Sequence, residues 1–479
     1  MRNRVLSITY AVFLVGCTVG PDFVAPSLET PTDWRVPASV VEDLTATKWW
    51  ERFNDSELNS LVVRALGANR DIQIAAARVE QFRALYGVSR SALYPEVDLS
   101  GGYARTQRSE TGIPPASGED FSTYVIDGGL RWEIDLWGRI RRSNEAALAD
   151  LLAEEANARG VLVSVVTGVI QAYVELRELD QRLGISKRTL KSRAEALRIA
   201  KERFKNGVVS QLDIRQAESE YISVELTIPD LELAISRREN LLSVLLGVPP
   251  GPIVRGKTID ELNDAVVIPA GLPADLVRNR PDLSAAEQQL RSATARIGIA
   301  TAEYYPRLSL TGILGFLSAD FSEWLKSESN EWQVAPGLTT PIFTAGRIEN
   351  QIKSAEAAAR AAEAAYRLRL LEAFREVEDA LVGFAQGTKR RDLQAAQVKV
   401  LQGYLSLSQQ RYDEGQSDYL DVLDAQRNLF STELNLSLVE GRLIAEYINL
   451  FRALGGSWIE TAAAEGVLSA PPKEFSHRP

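Results

Sequence analysis

Duplication constrains this chain more than any single motif. Gly138-Arg139-Ile140 returns as Gly346-Arg347-Ile348, and Arg203-Phe204-x-x-Gly207 as Arg411-Tyr412-x-x-Gly415. Leu212-Asp213 returns as Leu420-Asp421 and Leu246-Gly247 as Leu454-Gly455, all at one offset of 208 residues (Arg139 to Arg347). Upstream, Tyr94-Pro95 answers to Tyr305-Pro306 and Asn69-Arg70-Asp71 to Asn279-Arg280-Pro281-Asp282, displaced by two or three residues. A period this long means that a domain-sized unit was copied, not that a short-repeat solenoid was built. The repeats occupy residues 56–247 and 274–455, and residues 248–273, with Pro249, Pro250, Pro252, Pro269 and Pro273, read as the linker between them. Residues 456–479 form a tail.

Each repeat runs helix, two strands, long helix, tight turn, returning helix. Glu57 to Leu93 reads as one helix ending before Pro95. Val97, Leu99, Gly101 and Tyr103 then alternate with polar or small residues, as do Tyr124, Ile126, Gly128, Leu130, Trp132 and Ile134, the pattern of strands with one apolar face. The second repeat alternates at Leu308, Leu310, Gly312, Leu314 and Phe316, then at Trp332, Val334, Pro336, Leu338 and Ile342. The tracts Arg139–Phe204 and Arg347–Tyr412 contain no Pro and carry apolar residues at helical spacing. At 1.5 Å per residue each would span on the order of 100 Å. Gly207 and Gly415 mark the turns, and returning helices start near Gln211 and Tyr419. A long coiled-coil hairpin alone would look similar, but the strands argue against it. Four strands cannot close a membrane barrel, since the smallest use about eight. They need strands from other copies of the chain, or open edges would face lipid.

Other features narrow the compartment and the chemistry. Arg2 and Arg4 precede a short apolar run from Val5 to Val15, a signal peptide over residues 1–16. Leu14-Val15-Gly16-Cys17 then reads as a lipobox, with diacylglyceryl attachment to Cys17 and Thr18 next to it favouring outer-membrane sorting. Acyl chains anchor at roughly 0.8 kcal/mol per buried methylene. After Cys17 no apolar run approaches 18 residues, so a membrane crossing is expected to be made of strands. Net charge is −10, which argues against nucleic acid. The chain has one Cys and one His, His477 in a Pro-rich tail, so no His-based triad or His-ligated metal site is expected, and no cofactor beyond the lipid on Cys17. Asp and Glu are plentiful but cluster in no pocket-like context, which disfavours a carboxylate-dependent hydrolase. A periplasmic adaptor lipoprotein would carry one hairpin, not two equivalent ones.

Particular segments also resemble a known family. Cys17-Thr18-Val19-Gly20-Pro21-Asp22-Phe23, Lys48-Trp49-Trp50-Glu51-Arg52-Phe53 and Trp132-Glu133-Ile134-Asp135-Leu136-Trp137-Gly138-Arg139 are similar to the OprM/NodT branch of TolC-like outer-membrane factors. So are Arg280-Pro281-Asp282, Pro341-Ile342-Phe343 with Gly346, and Arg411-Tyr412-x-x-Gly415 running into Leu423-Asp424-Ala425-Gln426-Arg427. The resemblance covers nearly the whole mature chain. It implies a mostly α fold with a membrane β-barrel portion: a homotrimer in which four strands per chain make a twelve-stranded barrel, above a long α-helical barrel. Residues 17–55, the linker and the C-terminal region would form an equatorial belt. It further implies a passive outer-membrane duct of a tripartite efflux system, exporting drugs or other small molecules, with a periplasmic adaptor and an RND-type or ABC-type inner-membrane transporter as partners. A type I secretion exit duct is the alternative. The periplasmic end would be closed at the second hairpin tip by Tyr412, Leu420, Asp421, Asp424 and Arg427, with Asp213 the first-repeat counterpart of Asp421. Asp421 and Asp424, three apart, share one helix face. Three-fold symmetry would make them a ring of six carboxylates, selecting by charge. Gln216 and Ser219 stand where the second repeat has Asp424 and Arg427, so the gate charge comes mainly from the second repeat. The bland reading of Asp424 and Arg427 is a solvated pair worth a few tenths of a kcal/mol.

Overall fold

The computed structural model describes residues 18–26, 34–35, 48–111, 120–266, 280–455 and 459. Cys17, the signal stretch and His477 lie outside the described residues, as does most of the tail. Among the described residues the elements run α1 (Ser56–Ala68), α2 (Arg70–Ser91), β1 (Glu96–Gln107), β2 (Asp120–Ile134), α3 (Arg139–Lys205), α4 (Gln211–Glu225), α5 (Thr227–Leu245), α6 (Ile259–Asn263), α7 (Pro281–Ala302), β3 (Arg307–Ser318), β4 (Asn330–Thr339), α8 (Arg347–Asp413) and α9 (Tyr419–Ala453). The long tracts α3 and α8 are each 67 residues, as the Pro-free runs lead one to expect. The chain falls into two compact units.

The first unit comprises residues 1–27, 78–154 and 285–366 and holds the sheet. Its four strands are antiparallel in the order β1-β2-β3-β4, so β1 and β4 are both edges. The register stacks Val97, Leu130, Gly312 and Val334 in one row, and Leu99, Gly128, Leu314 and Trp332 in another. The alternations read from the sequence thus share a single apolar face across all four strands. Val97, Leu99, Trp332, Val334 and Leu338 on it are exposed. The opposite face is polar: Arg131 pairs with Asp98 (3.4 Å) and Glu96 (3.8 Å), and Ser100 donates to Asp127 (3.0 Å). The structure corrects one strand end. β4 stops at Thr339, short of Ile342.

The Trp132–Arg139 motif joins β2 to α3. Asp135 accepts from the backbone N–H of Ile140 (3.0 Å) and Arg141 (2.9 Å), capping α3, and Arg139 forms a two-pronged bond to Glu133 (2.9 and 2.7 Å). The segment after Cys17 lies along this junction. Arg142, buried on α3, donates to the carbonyls of Val19 and Gly20 and to Asp22 (3.2, 3.2 and 2.8 Å). Arg291 of α7 sits over the Phe23 ring at 4.8 Å. Gly20 crosses Gly298 so closely that a Cβ on Gly20 would lie 2.4 Å from the Gly298 Cα, which only two glycines permit.

The second unit comprises residues 28–77, 155–284 and 367–479 and contains the largest core. The Lys48–Phe53 motif supplies its centre: Trp49 stacks on Phe451 (4.7 Å, 9°) and meets Tyr447 edge-on (6.2 Å). Burial of each such ring stabilises by about 1.5–3 kcal/mol. Asp55 caps α1 through Glu57 and Leu58 N–H, and its second oxygen accepts from the Tyr173 hydroxyl (2.8 Å) and Lys257 N–H (2.9 Å), tying the linker to the core. Burial and Asp55 push the Tyr173 phenol above its ordinary range. Arg280 of the Arg-Pro-Asp motif grips Asp282, Glu376 (2.8 Å) and the Ala453 carbonyl (3.0 Å), a packing role.

Three helix expectations need correction. The expected Glu57–Leu93 helix is two, broken at Asn69, whose backbone is extended and whose side chain caps α2 while its amide donates to Leu245 O (2.8 Å). The first-repeat return is also two helices. Pro229 crowds the carbonyl of Glu225, where α4 ends, whereas Ser437 at the matching position lets α9 run 35 residues unbroken. Finally, α3 contains a stretch long and apolar enough by length and composition to cross a membrane, which the sequence reading passes over. Val163, Val165, Val166, Val169, Ile170, Tyr173 and Leu176 on α3 are core residues of the second unit, so packing against protein accounts for that composition.

Candidate functional site

All six predicted gate residues lie in the second unit, at the two hairpin tips. The tips share one backbone design. Gly207 and Gly415 both have φ +72°, the left-handed conformation that ends a helix most cheaply in glycine. Val208 N–H bonds to Arg203 O (2.9 Å), and Gln416 N–H to Arg411 O (2.8 Å), at matching positions.

Side chains separate them. At the first tip Ser210 and Asp213 form a capping box: the Ser210 hydroxyl and backbone N–H donate to the Asp213 carboxylate (both 2.8 Å), and Asp213 N–H donates back to the hydroxyl (3.4 Å). At the second tip Asp418 and Asp421 hold the two equivalent positions. Asp418 makes no side-chain cap bond, and the Asp421 N–H donates instead to the Asp418 backbone carbonyl (3.2 Å). Asp421 and Asp424 are exposed, with Asp424 accepting from the Asn428 amide (3.1 Å), and Leu420 is exposed beside them.

Tyr412 packs against Tyr419 (5.2 Å between centroids) and carries Arg203 of the first tip over its ring at 5.2 Å. Arg203 also reaches Asp413 (3.5 Å). A cleft of about 550 Å³ opens here, lined by Arg188, Lys191, Arg203, Asp213, Tyr412 and Tyr419 among others.

Arg427 does not pair with Asp424 inside the chain. Its guanidinium binds Glu220 of α4 at 2.5 Å, and this contact raises its pKa. Glu220 is only 5% exposed, and Arg193 of α3, 3% exposed, faces it. Burial pulls the Arg193 guanidinium below its usual range, with Glu220 opposing the shift. One buried carboxylate therefore binds Arg427, joining α4 to α9, and offsets the charge of Arg193 on α3. Sequence reasoning missed Glu220 and Arg193. The signal was present in Ala217, Glu220 and Val224, the buried positions of α4: an acid sits in the apolar stripe. Among the described residues, no group of His, Cys, Asp or Glu could hold a metal ion.

The sequence profile described as "Outer membrane efflux protein" matches residues 61–248 and 272–456, one stretch in each repeat. The solvent efflux pump outer membrane protein SrpC of Pseudomonas putida is 34% identical over 468 residues, covering 96% of this chain and 99% of that protein. Nodulation protein T of Rhizobium leguminosarum bv. trifolii is 29% identical over 464 residues, covering 96% and 98%. The crystal structure of the open state of the Neisseria gonorrhoeae MtrE outer membrane channel superposes with a TM-score of 0.83 at 28% identity, covering 92% of this chain and 99% of that one. The chain therefore belongs to the outer membrane efflux protein family: it is a TolC-like outer-membrane channel protein of an efflux pump, with a large periplasmic portion, and not an enzyme.

Proposed function

We propose that three copies of this chain share one twelve-stranded barrel and form the exit duct of a tripartite pump. The observation that carries this reading is the sheet. It has one continuous apolar face and two edge strands whose outer sides pair with no strand among the described residues. An open edge in lipid leaves backbone groups unsatisfied, each at a cost of several kcal/mol. Joining β4 of one copy to β1 of the next removes every edge. The apolar face then meets lipid, and the face bearing Arg131, Asp98 and Asp127 lines the lumen.

The duct carries small molecules passively, drugs or solvents, from an RND-type transporter by way of a periplasmic adaptor. SrpC, a solvent efflux pump protein along almost its whole length, supports that cargo class. At rest the duct is closed at the periplasmic tips, chiefly by the second-repeat set Tyr412, Leu420, Asp421, Asp424 and Arg427. The unequal tips support this assignment, since Asp213 is occupied by its capping box while Asp421 and Asp424 remain available to a neighbour. Cys17 bears the lipid anchor. The Arg142 clamp on residues 19–22 supports it by holding the adjoining segment beside the end of β2, next to where lipid begins.

Native mass spectrometry in gentle detergent tests both points together. The expected species is a trimer whose chains begin at Cys17 and carry acyl mass. A stable monomer would contradict the shared barrel, and a trimer of unacylated chains would contradict the anchor alone.

A further inference from the structure

The two places where an outgoing strand passes into a long helix are built differently. After β2, the Trp137 ring stacks on Tyr305 (4.8 Å, 30°), and its Nε1 donates to the Pro306 carbonyl (2.9 Å). That contact closes the β2–β3 seam just beyond its last pair, Ile134 and Leu308. It joins the outgoing strand of the first repeat to the Tyr-Pro step that precedes the incoming strand of the second.

An identical Tyr-Pro step, Tyr94-Pro95, precedes β1. Tyr94 is 63% exposed, and among the described residues no ring covers it. The matching outgoing segment follows β4. Gly138 and Gly346, with φ of +80° and +81°, fix the correspondence, and Phe343 falls where the first repeat has Asp135. Asp135 caps α3 with two backbone bonds, and a phenyl ring offers α8 no such acceptor. Phe343 is instead 88% exposed, and Ile342 beside it 91%. Where the first repeat has a capping acid, the second has apolar surface that nothing among the described residues covers.

The register sets the start of β1, the end of β2, the start of β3 and the end of β4 at one end of the sheet. Tyr94 and Phe343 therefore lie at the same end, on opposite edges. We propose that Ile342 and Phe343 of one protomer close over Tyr94 of the next, an interchain counterpart of the Trp137–Tyr305 contact at the rim of the shared barrel. This rests on the trimeric barrel proposed above, and the occupant is a second copy of this chain. The β2–β3 seam already joins repeat one outgoing to repeat two incoming. The seam no single chain closes joins repeat two outgoing to repeat one incoming, and these residues stand beside it. The contact staples neighbouring protomers where strand pairing ends.

The test is a variant carrying Tyr94→Cys and Phe343→Cys, treated in native membranes with a short bifunctional thiol reagent. Cross-linked dimers and trimers are expected on denaturing gels from the double variant and from neither single one. Native mass spectrometry of the same sample separates the two ideas. A trimer that does not cross-link overturns the staple and leaves the barrel standing, whereas a monomer overturns the barrel. A Phe343→Trp variant in vesicles gives a second reading without cysteines. The emission it adds over wild type is expected to resist quenching by brominated phospholipids, and strong quenching of that added emission would mean that residue 343 faces lipid, which also overturns the staple.

Discussion

At the first hairpin tip Ser210 and Asp213 exchange hydrogen bonds with each other; at the second, Asp418 and Asp421 stand in the same positions and make no side-chain cap bond. The backbone is otherwise copied, down to the left-handed glycine. Duplication supplied two equal tips, and substitution of one hydroxyl by a carboxylate made one of them self-contained and the other acidic. Further up the helices the same divergence appears. Glu232 in the first repeat is exposed and pairs with Lys187 (3.1 Å), while its counterpart Glu440 is buried on α9. Around Glu440 stand Asp260 of α6, Arg391 of α8 and Gln181 of α3, whose amide reaches both carboxylates (3.1 Å to Asp260, 3.5 Å to Glu440). At both places the second-repeat acid has no bonded cation among the described residues, only an amide donor for Glu440 and for Asp424.

The largest effect belongs to the residue that binds the repeats together. Glu220→Gln leaves Arg193 buried without a countercharge and frees Arg427, a loss on the order of 3–5 kcal/mol. Hydrogen exchange should then accelerate in α4 and α9, on the order of a hundredfold or more, with the sheet unaffected. Unchanged protection would mean that the two tips are not coupled through Glu220.

Next in size is a pH effect centred on Glu440. Burial raises the Glu440 carboxyl from the ordinary 4.5 to about 7. Between those values the folded chain holds a proton that the unfolded chain releases, so stability is greatest below pH 4.5 and falls as pH rises through 7. The full loss is on the order of 2–3 kcal/mol. Glu440→Gln should flatten a melting series from pH 5 to pH 8 and raise the pH 8 midpoint. An unchanged slope in the Glu440→Gln series would mean that Glu440 does not hold that proton.

Smaller still are the caps. Ser210→Ala should cost about 1 kcal/mol at the start of α4. Asp418→Ser, which removes the repulsion between two neighbouring carboxylates and recreates the Ser–Asp pair of the first tip, should stabilise the start of α9 by less, a few tenths of a kcal/mol up to about 1 kcal/mol. Amide exchange in the first turn of each helix reads both changes. No gain from Asp418→Ser would show that something besides the carboxylate at 418 keeps that box from forming.

The fold was legible where the signal is periodic or repeated. The alternation at Tyr124–Ile134 and Leu308–Phe316, the Pro-free tracts and the 208-residue offset determine strands, long helices and duplication without any coordinates. What escaped depends on contacts between distant residues. The break at Asn69 looks helical in sequence, and its cause is an amide reaching Leu245 O across 176 residues. The break at Leu226 was readable from Pro229, whose ring displaces a carbonyl four residues earlier. At the tips, sequence reasoning singled out Tyr412, Asp421, Asp424 and Arg427 as one set. It could not reveal that Arg427 reaches Glu220 instead of Asp424 within the chain, since that choice is made by the packing of α4 on α9. Asp213 resembled Asp421 by position, and only the preceding Ser210 hinted that it serves as half of a cap.

In the duct proposed above, closure rests chiefly on the second tip. Single-channel recordings in planar bilayers test it most directly, comparing wild type, Asp213→Ala, and a Tyr412→Phe, Asp424→Ala double variant. Each partly screened link at the tip contributes about 1 kcal/mol. Three protomers acting together shift the open fraction on the order of a hundredfold, so the double variant should conduct far more than wild type at the same voltage. Asp213→Ala should stay close to wild type, because its carboxylate only caps a helix. Equal conductance for wild type and the double variant, or an Asp213→Ala channel as open as the double variant, would contradict the account.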